Sequence, residues 1–68
     1  MKDPRWLKLV DQAVAMFAAS ADERELLVER LRASSDYSVI IAQFRFGASD
    51  RVVTGLLTRT LMDLTGER

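Results

Sequence analysis

An all-α fold, a compact bundle of four to six short helices, is what this 68-residue sequence predicts. Three observations carry that expectation. Apolar residues recur at three- and four-residue spacing, each apolar run is preceded by a residue suited to cap a helix, and the only strand-like run has no partner to pair with. The length allows one domain spanning 1–68, because a chain of about 60 residues buries only about 60% of the surface that it exposes when unfolded.

The first helix begins with Asp3 as N-cap and Pro4 at the first helical position, where a missing N–H removes no hydrogen bond. Trp6, Val10, Ala13, Val14 and Phe17 then share one face, and the periodicity predicts a helix to about Ala18. Leu7 and Leu9 lie at the margin of that face. Ser20 followed by Glu23 is a capping box and starts a second helix. Asp22, Glu23 and Glu25 crowd its first turns and Arg30 and Arg32 its last, the order that the helix dipole favours. Ala21, Leu27, Val28 and Leu31 supply its apolar side.

Ser34, Ser35 and Asp36 break the chain and offer a cap for a third segment, Tyr37 to Phe46. Tyr37, Ile40, Ile41 and Phe44 keep helical spacing, yet the same residue types favour strands. Helix is preferred, since a lone strand finds no second one here and a two-stranded sheet is marginal. Gly47 is a stop signal, Ser49 or Asp50 a new cap, and Val53, Leu56, Leu57, Thr60, Leu61 and Leu64 form the clearest amphipathic helix, ended by Gly66. Gly55 inside it suggests a close helix contact. The expected core is Trp6, Val10, Val14, Phe17, Leu27, Leu31, Ile40, Ile41, Phe44, Val53, Leu56, Leu57, Leu61 and Leu64.

Composition narrows the chemistry. With no Cys and no His, the sequence has no disulfide and no thiolate or imidazole for metal binding or for catalysis near neutral pH. Asp22, Glu23, Glu25 and Glu29 read as a solvated face with capping duties, and Ser34, Ser35 and Ser49 as turn and cap residues. None of the three glycines stands in a phosphate-cradling motif. No enzymatic activity and no cofactor are expected. No apolar run approaches the roughly 18 residues that span a bilayer, and the N-terminal residues are charged, so a cytoplasmic protein without a membrane span is expected.

The remaining readings concern partners. Ile41-Ala42-Gln43, Gly47, Val53 and Leu56-Leu57 echo a helix-turn-helix, with Arg51, Thr54, Thr58 and Arg59 facing a DNA groove. The glycine comes one position later than in the usual motif. Ten basic residues stand against ten acidic ones, so the counterion-release contribution to DNA affinity is small. A nucleic-acid partner is therefore the alternative, not the main expectation. A dimeric antitoxin-like or phage accessory protein acting on one protein target is a third reading.

Apolar surplus favours a protein partner. Residues of the AVILMFWYC set make up 49% of a chain too small to bury them all. Trp6, Leu7, Leu9, Met16, Phe46, Val52 and Met62 are the candidates for exposure, being off the main stripe of their segment or beside its boundary. Arg outnumbers Lys eight to two, and the planar guanidinium suits interfacial ion pairs. Trp6, Leu9, Asp22, Glu23, Glu25, Arg30, Arg32, Phe46, Arg51 and Arg59 are the predicted interface residues. Arg30 and Arg32 of one copy could dock on the acidic cluster of the next, a heterologous contact.

Three features, Phe17 closing the first helix, the stretch from Ser20 through Leu31 and the last helix from Asp50 through Leu61, together resemble the small helical adaptor modules of bacterial conflict systems, the effector-associated or death-like domains. That family usually has six helices in a somewhat longer chain. The resemblance implies homotypic or adaptor-type assembly in an immune or cell-suicide pathway without catalysis, the partner being the protein itself or a similar helical domain. It transfers no individual site residue, because such domains bind through variable faces.

Overall fold

The computed structural model describes residues 3–66, which form four α-helices: α1 (Pro4–Ala15), α2 (Ala21–Ala33), α3 (Asp36–Arg45) and α4 (Asp50–Thr65). Local chemistry sets most of the boundaries. The Asp3 carboxylate accepts the Arg5 N–H at 2.9 Å, and Pro4 opens α1. The helix closes at Ala15, short of Ala18, because the next amides tighten: Met16 N–H donates to the Ala13 carbonyl and Phe17 N–H to that of Val14. Phe17 still packs, half-buried, against the core.

The capping box is present with one displacement. Ser20 Oγ accepts the Glu23 N–H at 3.2 Å, while Glu23 Oε2 accepts the Ala19 N–H at 2.8 Å, one residue ahead of the cap itself. Segment 37–46 is helical. It begins one residue early, with Ser34 Oγ accepting the Asp36 N–H at 3.2 Å, and ends at Arg45. Gly47, at φ +92°, makes a Schellman turn in which Gly47 N–H donates to Phe44 O and Ala48 N–H to Gln43 O. Ser49 Oγ then accepts the Val52 N–H and caps α4, which stops at Gly66 with φ +75°.

α4 is the central helix and packs against each of the other three, most extensively against α1. Twelve apolar residues form the core, with Ala13, Leu31, Val53, Leu57 and Leu61 fully enclosed. Trp6 stands at its centre, edge-on to Tyr37 at 5.8 Å and to Phe44 at 5.4 Å between ring centroids. The radius of gyration is 11.1 Å, close to the roughly 11 Å of a folded chain of this length.

Three expectations are corrected. Trp6 and Leu9, candidates for exposure, are 1% and 5% exposed; for Trp6 this agrees with its place in the expected core. α1 packs against both α4 and α2 and is covered over a wider arc than an ordinary surface helix, so its marginal position Leu9 is buried at the foot of the α1–α4 cleft. Gly55 has no close helix contact: it is exposed, and a Cβ there would meet no atom within 4 Å. Ala21 is also exposed, which leaves α2 attached through Leu27 and Leu31, with Val28 half-buried. Of the expected core, Phe17, Ile41, Leu56 and Leu64 are half-buried.

Candidate interaction surface

The surface keeps a set of large apolar side chains that the core cannot absorb. Leu7, Met16, Leu26, Val39, Phe46, Val52 and Met62 are between 40% and 88% exposed, Phe46 being the extreme. Five of these follow from the sequence pattern, since each lies off its stripe or beside a helix end. Leu26 and Val39 do not, because each sits within a run of apolar neighbours that periodicity alone cannot orient.

The helix pairing shapes one apolar groove. It lies between α1 and α2 and reaches the start of α3, with a volume of about 290 Å³. Buried Trp6, Val10 and Leu31 form its floor, and Leu7, Val28 and Tyr37 its walls. Asp11 on α1 and Arg32 on α2 stand at its mouth. It continues along α2 as a charged channel bordered by Arg24, Glu25 and Glu29. The groove exists because α2 presents a narrow apolar stripe to a wide apolar face of α1, so part of that face is left uncovered.

The predicted interface residues do not form one patch. Trp6 and Leu9 are removed from the surface, as described above. Glu25 and Arg32 both border the charged channel along α2, with no ion pair between them among the described residues. Asp22 is exposed at the start of α2, while the Glu23 carboxylate is engaged by the Ala19 N–H. Arg30 is used within the chain: its Nη2 donates to the Leu64 carbonyl at 2.6 Å, satisfying an orphan acceptor at the C-terminal end of α4. Its role in an acidic-to-basic docking pair is therefore compromised. Phe46 projects from the α3–α4 turn.

Arg51 and Arg59 border different clefts along α4. Arg51 borders a shallow cleft between α1 and α4 that also contains Arg5, Lys8 and Asp50, whereas Arg59 borders one between α3 and α4 that contains Asp36 and Asp63. Thr54 and Thr58 are half-buried. Asp50 points back to α1, where its carboxylate accepts Arg5 Nε at 2.7 Å, and Arg5 also lies over the Phe44 ring at 4.7 Å. Arg5–Asp50 is the one ion pair among the described residues.

Sequence reasoning named Leu7 as exposed but did not place it, Val28 and Tyr37 in one groove. The missing information is the crossing of α1 over α2, which joins residues 30 positions apart, Leu7 and Tyr37. No helix of the described residues is long and apolar enough to cross a membrane. Comparison with known proteins returns no match: no family model fits the chain, and no curated protein and no solved structure is significantly similar to it.

Proposed function

We propose that this helical bundle is a non-enzymatic protein-interaction module that self-associates or docks a similar helical domain. The observation that carries this reading is the set of seven large apolar side chains left 40–88% exposed around a closed core, together with the apolar groove between α1 and α2. Exposed aromatic, aliphatic and methionine side chains around such a groove match the composition of interface centres. Interspersed charges of both signs, with Arg in excess over Lys, suit the rim of such a contact.

An adaptor role in bacterial immune or cell-suicide signalling is the finer form of this proposal, and it rests on the resemblance to death-like domains alone. The rival is a helix-turn-helix regulator. The outward face of α4 weighs against it: Val52, Met62 and Asp63 stand there beside Arg51 and Arg59, and a groove-reading helix needs cations and polar groups in those places. Light scattering coupled to size exclusion, over a wide concentration range, tests the proposal. Mass that grows with concentration supports self-association. A 7.7 kDa species throughout, together with salt-sensitive binding to duplex DNA that Arg51→Ala and Arg59→Ala abolish, favours the regulator.

A further inference from the structure

The geometry points to a head-to-tail contact in which Phe46 of one copy enters the α1–α2 groove of the next. This rests on the self-associating form of the proposed function and specifies which surfaces meet. Phe46 is 88% exposed, so its ring is almost wholly in water, and burying an aromatic side chain on a partner is strongly favourable. At about 290 Å³ the groove is at the small end of ligand-site volumes and has room for one large side chain. Its apolar floor of Trp6, Val10 and Leu31 offers the desolvated seat that a buried aromatic anchor needs.

One chain cannot fill its own groove in this way. Tyr37 lines the groove at the first turn of α3, whereas Phe46 follows the last turn, about 13 Å further along the helix axis. Projection and recess are thus at opposite ends of α3, and a contact between them is heterologous, leading to a ring or an open chain of copies.

Charge complementarity selects a second copy as the occupant. Phe46 is flanked by exposed Arg45 and is followed by exposed Arg51, while Asp50 is neutralised by Arg5. The projecting end is therefore cationic. The groove and its extension present Asp11, Glu25 and Glu29 against Arg24 and Arg32, an acidic balance. Asp11 and Arg32 balance each other at the mouth, so the acidic excess that Arg45 and Arg51 would meet lies along α2, at Glu25 and Glu29.

The test is a complementation between two variants of the full chain, Phe46→Ser and Leu7→Arg, both at exposed positions and both checked for wild-type helicity by circular dichroism. Wild-type protein is expected to gain mass with concentration, and each variant alone to self-associate at least tenfold more weakly. An equimolar mixture is expected to form a dimer and stop there, because the intact groove of one variant takes the intact Phe46 of the other. Association of the wild type that either variant leaves unchanged overturns this contact while the self-associating reading stands. Two monomeric variants that fail to pair when mixed also overturn it, since the two substitutions would then lie on one shared surface. A wild type that stays monomeric at every concentration removes both.

Discussion

The α1–α4 pair and the α1–α2 pair use the same helix in opposite ways. Against α4, α1 is sealed beneath a shallow, largely polar-rimmed cleft: Leu9, Ala13, Val53, Leu57 and Leu61 are all at most 5% exposed, and Arg5 ties the rim to Asp50. Against α2 it is partly open, because α2 contributes only Leu27 and Leu31 as buried residues and leaves Leu7, Val28 and Tyr37 around a groove. The difference teaches that burial follows the width of the opposing apolar face. α4 has a broad stripe, whereas α2 is a largely charged helix that depends on its caps and on one long-range hydrogen bond from Arg30.

The comparison can be broken most severely at the sealed side. Leu57→Ala should cost about 2–5 kcal/mol, since a fully buried leucine leaves a cavity that the rigid surroundings fill only in part. A domain of this size has roughly 3–10 kcal/mol in total, so chemical denaturation should show about half of that stability lost at the middle of both ranges. On the open side, Ser20→Ala should cost about 1 kcal/mol by removing the cap of α2. Amide hydrogen exchange sharpens the contrast: protection should fall in α2 while α1 and α4 keep theirs, and equal loss everywhere would show that α2 is no less firmly held.

Gly55→Ala should stabilise the protein by about 0.4–1 kcal/mol, because the helical position is open and alanine restricts the unfolded chain. A lowered melting temperature would contradict the open surface assigned to this turn of α4. The Arg5–Asp50 pair is more than half exposed on both sides, so a double-mutant cycle should return a coupling of only about 0.2–1 kcal/mol, declining with added salt. Phe46→Ser should change monomer stability by less than about 0.5 kcal/mol, measured at a concentration where no association occurs.

Helix positions were largely legible in the sequence, and the candidate surface only in part. Phe46, Met16, Val52 and Met62 could be placed outside the core because each lies beside a helix end or off its stripe. Trp6 was legible as core from its place on the main face of α1, but Leu9 was not, since whether a marginal position is covered depends on the width of the neighbouring helix and on where it crosses. The same limit hid the groove. Its walls come from three helices, and no local pattern reports their convergence.

Asp3 with Pro4, Ser20 with Glu23, Ser49, Gly47 and Gly66 determined by themselves where helices begin and end, because capping is a matter of hydrogen bonds and φ angles within a few residues. The tertiary structure alone decided that α1 is closely covered by α4 and only partly by α2, that Gly55 faces open solvent, that Arg30 reaches the Leu64 carbonyl 34 residues away, and that Asp50 answers Arg5 across 45 residues. These are outcomes of packing whole helices against one another. Periodicity names the face a helix must bury, but the breadth and angle of its partner settle how much of that face is covered and how much is left for another molecule.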